Sequence, residues 1–227
     1  MNQKKINLND ETTTKEYDIK NDQGTIINIS KELNNNQKAT KLINKFRHLF
    51  TSDPLNIGCA NVEPREIKLK SDKPIFQPPY RTPPIQREKL KTEKGEYRFL
   101  VHYRKLNNET ISDKHHISRS QDLFRSLEGV KYYSTIDLCQ RYFQIPVKKE
   151  GQNNTTFITD FELYNFKRIP QGFKNSGPIF QRVINNLFSD FLYRTMIAYL
   201  DDICCFGNDF KEALSRLEAI FKRLDEA

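Results

Sequence analysis

The segment that constrains this chain most is residues 196–207, MIAYLDDICCFG, where two adjacent aspartates stand between two apolar, strand-prone runs. Such runs favour strands, and a two-residue Asp201-Asp202 connection would make residues 194–200 and 203–206 a tight hairpin. Because Asp tolerates turn geometry, one interpretation is that the pair only makes the turn. The segment therefore predicts a sheet with two carboxylates at its edge and leaves their purpose open.

A third aspartate ends another predicted strand. Asp137 lies near the end of residues 131–138, KYYSTIDL, where its carboxylate would again sit at the rim of a sheet. Three carboxylates at adjacent strand ends repel one another, and a divalent cation removes that repulsion. Mg²⁺ prefers a few carboxylates plus substrate phosphate oxygens. The three acids therefore suit in-line phosphoryl or nucleotidyl transfer.

Charge and composition narrow the class of protein. The chain has 227 residues, 37% apolar and 29% charged, which allows a sizeable core in part of its length. Its net charge is +8, and residues 65–105 hold twelve Lys/Arg against five Asp/Glu. Such a basic stripe either attracts a polyanion such as nucleic acid or simply solvates the surface.

Cysteine spacing and apolar run lengths bear on the compartment. The four cysteines lack zinc-ligand spacing, which favours reduced thiols inside a cell. No run approaches ~18 apolar residues, and the first residues lack an apolar signal core. We expect an intracellular, cytoplasmic protein with no membrane partner.

The chain divides into three parts. Residues 1–35 are polar and predict a disordered or weakly ordered leader. Residues 36–90 contain a short amphipathic helix at 38–50 and an extended strap at 74–84, where five of the ten prolines lie within eleven residues. Residues 91–227 carry the remaining regular elements.

Periodicity within residues 91–227 predicts a mixture of strands and helices. Residues 97–103 favour a strand and residues 120–127 a short helix, while 155–161 and 163–169 favour a hairpin. The strongest helical pattern covers residues 178–192. A second helix is predicted at 210–224, with Asn208 or Asp209 as its N-cap.

Four motifs resemble one known family. YLDD at 199–202, the strand ending in Asp137, IPQGFKNSGPIFQ at 169–181 and YRFLVHYRKLN at 97–107 occur in the order found in the reverse transcriptases of gypsy-type long-terminal-repeat retrotransposons and of retroviruses. KPIFQPPYRTPP resembles the strap that precedes that domain. The resemblance implies an α+β fold with right-hand polymerase fingers and palm, in which an antiparallel palm sheet is backed by helices.

The resemblance also assigns the metal and the acids. It implies that Asp137, Asp201 and Asp202 are catalytic and bind two Mg²⁺ ions, with Mn²⁺ able to substitute and with the Leu138 carbonyl as a further ligand. The reaction implied is RNA-directed DNA synthesis at a primer 3′-hydroxyl.

Substrate contacts follow from the same motifs. The resemblance implies that the incoming deoxynucleoside triphosphate is bound by Arg98, Tyr142, Gln171 and Gly172. Tyr142 would stack under the sugar, although by itself it is also a reasonable core tyrosine. An RNA or DNA template with its primer would contact Arg104 and Tyr199, and the rest of a Pol polyprotein is a further expected partner.

The chain departs from the family pattern at several places. QREKL passes directly into KTEKGEYRF after Leu90, where the family has a further helix and strand, so the fingers are expected to be partial. Neither Lys91 nor Lys94 is assigned as the triphosphate lysine. The sequence has no thumb or ribonuclease H motif after YLDD. Arg141 stands where the family has a small residue, His102 replaces an Asp, and Gly177-Pro178 inverts the usual placement of proline.

Three hypotheses remain open at this point. The first is a truncated or decaying reverse transcriptase that keeps its metal carboxylates, with activity in question. The second is a non-catalytic nucleic-acid-binding fragment that uses the basic stripe and aromatics such as Tyr97, Phe99 and Tyr103 as a stacking surface, or a structural remnant without a partner. A different metal-dependent phosphotransferase is the third, and it leaves the PQG and YRKLN motifs unexplained.

Overall fold

A five-stranded antiparallel sheet organises the chain. The computed structural model describes residues 17–20, 26–29, 37–51, 57–71, 75, 100–118, 120–159 and 162–227. The sheet has the order β1-β2-β3-β7-β6, and every neighbouring pair is antiparallel. Its strands are β1 (Tyr17–Lys20), β2 (Ile26–Ile29), β3 (Tyr132–Asp137), β6 (Met196–Tyr199) and β7 (Asp202–Gly207), and a separate hairpin pairs β4 (Phe157–Ile158) with β5 (Leu163–Tyr164).

Helices cover both faces of this sheet. Among the described residues they are α1 (Gln37–Lys45), α2 (Arg104–Glu109), α3 (Ser120–Arg125), α4 (Lys149–Gln152), α5 (Ser176–Leu187) and α6 (Phe210–Asp225), with short 3₁₀ turns at Arg47–Leu49, Arg141–Gln144 and Asn153–Thr155. The predicted α+β class, with an antiparallel sheet backed by helices, is confirmed.

The main core lies between one sheet face and the helices α5 and α6. Residues directly opposite in an antiparallel pair share a face, so the pairs Ile136 with Ile203 and Ser134 with Cys205 point the same way. Ile136, Ile203 and Cys205 belong to the main cluster with α5 and α6 residues such as Phe180 and Phe221. The other face carries a smaller cluster of Leu123, Ile197 and Phe206, covered by α3.

The two long helices form where periodicity predicts them. α6 begins after Asp209, whose carboxylate accepts a hydrogen bond from the Glu212 N–H at 2.8 Å and so caps the helix. α5 ends at Leu187, not at residue 192 as predicted. Phe188 still packs in the core, so the apolar spacing continues beyond the last helical residue. Tyr193 adopts a left-handed backbone with φ of 62°, which is not helical.

Other boundaries needed correction. The strand predicted at 97–103 is wrong for residues 100–103, which precede α2 without strand pairing; buried Tyr103 instead donates a hydrogen bond to the Thr155 carbonyl. The helix predicted at 38–50 is confirmed as α1 followed by a 3₁₀ turn. The hairpin predicted at 155–169 exists as β4 and β5, each of only two residues.

The predicted leader contributes two strands. β1 and β2 extend the sheet, β2 pairing with β3 through Asn28 with Thr135 and Ile29 with Ser134. The segment as a whole is polar, but β2 reads IINI, and these three isoleucines are a local strand signal that the overall composition conceals. The proline-rich strap at 74–84, apart from Ile75, lies outside the described residues, as do Leu90, Lys91 and Lys94. Among the helices that the structure describes, none is long and apolar enough to cross a membrane.

Candidate active site

Strand pairing brings two of the three predicted acids together. Asp137 is the last residue of β3 and lies directly opposite Asp202, the first residue of β7. Opposed residues of an antiparallel pair project from the same face with Cβ atoms roughly 4.5–5.5 Å apart. Both side chains are exposed. Two carboxylates thus stand side by side at the tip of the sheet.

The third acid sits in the turn between β6 and β7. The predicted Asp201-Asp202 turn is wrong by one residue, because Tyr199 pairs with Asp202 and the connection is Leu200-Asp201. Leu200 has a φ of 54°, an uncommon backbone for a branched side chain. The Asp201 carbonyl accepts a hydrogen bond from the Leu138 N–H at 3.1 Å, which ties this turn to the end of β3.

The charges at the tip act on one another unequally. Although the Asp202 side chain is exposed, partial burial of its carboxylate and the neighbouring carboxylate of Asp137 raise the pKa of Asp202, and Arg141 partly opposes that rise. The Asp201 carboxylate is instead engaged by the Arg141 guanidinium in a close ion pair. That guanidinium also lies 4.6 Å from the centre of the Tyr142 ring, a cation–π arrangement.

The donor chemistry of the tip suits a divalent cation in part. Asp137 and Asp202 offer facing carboxylate oxygens, the hard donors that Mg²⁺ prefers. Among the described residues, no group of three or more His, Cys, Asp or Glu side chains is arranged to hold a metal ion. The carboxylate pair therefore fits a metal, whereas one carboxylate oxygen of Asp201, Oδ2, is already paired with Arg141.

Tyr142 lies beside the acids and against α5. It follows Arg141 in the 3₁₀ turn, which begins after Gln140 in a left-handed conformation. Its ring meets Phe180 edge-on, with centroids 6.0 Å apart, and a Cβ added to Gly177 would lie 3.9 Å from its hydroxyl. The tyrosine is thus half-buried and held by α5.

The PQG loop is anchored on two sides. Gln171 donates a hydrogen bond to the Gln140 side chain at 3.0 Å, next to the 3₁₀ turn that carries Tyr142. Gly172 has a φ of 81°, which glycine adopts without strain. Its carbonyl accepts from the Asn107 amide at 2.9 Å, while Asn107 Oδ1 accepts from the Lys174 N–H at 2.7 Å.

The remaining predicted site residues are spread more widely. Tyr199 is exposed and pairs with Asp202, so it lies in one row with Asp202 and Asp137. Arg104 is exposed at the start of α2 and lines an open cleft of about 470 Å³ together with Gly172. Arg98 lies outside the described residues.

Two residues that support this site were not among the residues predicted from the sequence. Gln181, buried within α5, accepts a hydrogen bond from the Leu200 N–H at 2.9 Å and so supports the acidic turn. Asn107 braces the PQG loop from α2. A signal existed for Gln181, since it is a polar residue within the apolar face of a strongly amphipathic helix, and such a residue needs a partner.

Comparison with known proteins gives consistent likenesses. A family model described as reverse transcriptase (RNA-dependent DNA polymerase) matches residues 88–227. The retrovirus-related Pol polyprotein from transposon 297 of Drosophila melanogaster is 34% identical over 133 residues, covering 59% of this chain and 13% of the relative. The corresponding protein from transposon gypsy of the same species is 26% identical over 180 residues, covering 77% and 17%.

Solved structures agree with these relatives. The foamy viral protease-reverse transcriptase in complex with an RNA/DNA hybrid superposes with a TM-score of 0.76 at 24% identity, covering 85% of this chain and 30% of that one. The dRH form in complex with double-stranded DNA gives 0.74 at 26% identity, covering 85% and 39%. The likeness confirms the predicted fingers-and-palm fold. The chain spans less than a fifth of the length of the two transposon polyproteins.

Proposed function

From the premise that this chain belongs to the reverse transcriptase (RNA-dependent DNA polymerase) family, we propose that it carries the nucleotidyl-transfer site of a retrotransposon Pol polyprotein. The reaction is RNA-directed DNA synthesis at a primer 3′-hydroxyl. The observation that carries this proposal is the register of the sheet, which sets Asp137 directly opposite Asp202 at the end of two strands. Two like charges directly opposite each other repel and destabilise the fold unless a bound cation neutralises them.

The metal-binding residues of the proposed site are Asp137, Asp202 and, once released from Arg141, Asp201, with the Leu138 carbonyl as a further donor. Two Mg²⁺ ions are proposed, and Mn²⁺ can substitute. Bound divalent ions supply Lewis acidity, which lowers the pKa of the attacking hydroxyl and neutralises charge on the departing pyrophosphate. The chain contributes rigid strand ends that hold the carboxylates in place.

The substrates are placed by the surrounding residues. Tyr142 stacks under the sugar of the incoming deoxynucleoside triphosphate, and the Gln171-Gly172 loop approaches its base and the template. Arg98 binds the triphosphate, because a guanidinium can form two parallel hydrogen bonds to phosphate oxygens. Arg104 and Tyr199 bind the template and primer; the cleft beside Arg104 and the position of Tyr199 in the row of acids support this.

The domain division stays part of the proposal. A leader at 1–35 precedes a helix and strap at 36–90, and residues 91–227 form the partial fingers and the palm. β1 and β2 within the leader support its docking on the palm sheet next to β3.

Primer extension on poly(rA)/oligo(dT) with Mg²⁺ tests the function. We expect extension by the wild-type chain and a loss of about 100-fold or more in Asp202→Asn, because a charged donor is removed from the reacting centre. Asp190→Asn is the matched control, since Asp190 is an exposed aspartate paired with Arg223 at 3.6 Å. Equal rates in the two variants would contradict the assignment of Asp202.

A non-catalytic nucleic-acid-binding role is the second candidate. The ion pair between Arg141 and Asp201 favours it, because one of the three acids is already neutralised within the chain. This role predicts primer-template binding that weakens steeply with salt, is indifferent to Mg²⁺ and survives Asp202→Asn. Binding of this kind without extension by the wild-type chain would support it over catalysis.

A further inference from the structure

Arg141 is held in place by fixed partners on both sides. Its guanidinium contacts the Asp201 carboxylate and lies over the Tyr142 ring, and its side chain is only 20% exposed. The Tyr142 ring packs edge-on against Phe180, and the Asp201 backbone is held by the hydrogen bond from the Leu138 N–H to its carbonyl. The contact therefore differs from a loose surface ion pair, whose long side chains exchange freely with water.

Arg141 brings a guanidinium group to the acidic tip. A guanidinium stays protonated at any pH at which proteins fold, and its planar fork matches a carboxylate. It supplies positive charge at the carboxylate that stands next to the Asp137 and Asp202 pair. A divalent cation that binds the same carboxylate oxygen of Asp201, Oδ2, competes with the guanidinium for it, and a cation bound at either oxygen is repelled by the positive charge of Arg141.

We propose that Arg141 is a built-in counter-ion that competes with divalent cations for Asp201 and thereby sets the metal affinity of this site. The inference rests on the proposed function, since it takes Asp137, Asp201 and Asp202 as the metal donors. Binding of the metal and closure of the ion pair oppose each other, and such coupling is reciprocal. A chain without the guanidinium should bind the metal more tightly.

The test measures Mn²⁺ binding to the full chain by electron paramagnetic resonance, with no substrate present. We expect Arg141→Gln and Arg141→Ala to bind Mn²⁺ about tenfold more tightly than the wild type, within the usual range for coupled sites. Arg182→Gln is the matched control, since Arg182 forms an ion pair of 2.5 Å with Asp113, which is not one of the three proposed metal donors. It should leave the affinity unchanged.

A double-mutant cycle with Asp201→Asn separates competition from a general effect of charge or folding. If Arg141 acts through Asp201, then Arg141→Gln should give no gain in affinity in the Asp201→Asn background. Circular dichroism and thermal unfolding establish that each variant is folded. Two substitutions of Arg141, to Ala and to Gln, are measured so that the test can still be made if one of the variants does not fold.

The outcomes separate this inference from the proposed function. If Mn²⁺ binding falls in Asp202→Asn but is the same in wild type and both Arg141 variants, the competition is overturned while the metal site stands. An equal gain in the Asp201→Asn background also overturns it. If Mn²⁺ binding is indifferent to Asp202→Asn as well, the proposed metal site itself fails.

Discussion

Gln181 and Leu200 are joined by a hydrogen bond of 2.9 Å from the Leu200 N–H to the Gln181 side-chain oxygen, across 19 residues of sequence. The bond links the buried face of α5 to the turn that carries Asp201. The other end of the same amide donates to Asn185 at 2.9 Å. The acidic tip is therefore positioned by a polar group inside the core as well as by strand pairing.

Gln181→Ala should destabilise the protein by about 1–3 kcal/mol, because it removes a buried polar side chain and leaves the part-buried Leu200 N–H without its acceptor. Urea unfolding followed by circular dichroism measures this. Gln152→Ala is the control; it also removes a side-chain bond to the backbone, at 3.1 Å to the Val147 carbonyl, but from a partly exposed residue. Equal losses in the two variants would contradict a special role for Gln181.

Gly207→Ala should be strongly destabilising, by about 1–3 kcal/mol or more, since overpacking against backbone has little room to relax. A Cβ at this position would lie 2.7 Å from the Ala213 nitrogen and 2.9 Å from its Cα, where α6 crosses β7. Gly58→Ala is the control, because an added Cβ there meets nothing within 4 Å. Thermal unfolding of the two variants should differ by several degrees, and similar midpoints would disprove the close approach.

His115 should make stability depend on pH. Burial and the nearby Arg182 lower its pKa from 6.5, with Asp113 opposing, and its Nε2 lies 3.1 Å from the Asn185 amide. Because the folded-state pKa is below the unfolded value, its contribution is present above pH 6.5 and is lost as the pH falls towards the folded-state pKa.

Urea unfolding of the wild type and His115→Gln at several pH values tests this. The stability of the wild type relative to His115→Gln should fall between pH values of about 7.5 and 5. The change should be well under 1 kcal/mol, because the residue is only partly buried. His116→Gln changes an exposed neighbour and should keep most of the effect. A constant difference between wild type and His115→Gln would exclude it.

The four thiols should differ widely in reactivity. Burial raises the pKa of Cys204 to about 11 and that of Cys205 to about 12, whereas Cys59 is exposed. Burial and the charge of Asp137 raise the pKa of Cys139. Reaction with a chromogenic disulfide at pH 8 should show one fast thiol, since the thiolate is the reactive form.

Cys59→Ser should abolish the fast phase, and denaturant should release the other three thiols. A fast phase that persists in Cys59→Ser would contradict the slow reaction expected of Cys139, Cys204 and Cys205.

Elements with a strong local pattern could be predicted. β3, β7 and α6 follow apolar spacing that repeats within a few residues, and Asp209 caps α6 as a local side-chain bond would. The end of α5 could not be predicted, because Phe188 keeps the apolar spacing after the helical hydrogen bonding stops. Residues 100–103 do not form the predicted strand. Tyr103 is instead buried and donates a hydrogen bond to the Thr155 carbonyl, 52 residues away, a partner that local spacing does not predict.

The sequence by itself determined that two apolar strands end in aspartates and that the chain shares the motifs of one polymerase family, because these are properties of neighbouring residues. Only the tertiary structure decided that Asp137 faces Asp202, that Asp202 belongs to the strand and not to the turn, and that Arg141 closes on Asp201. Register and charge pairing arise between segments far apart along the chain, and local spacing carries no record of which partner each segment meets.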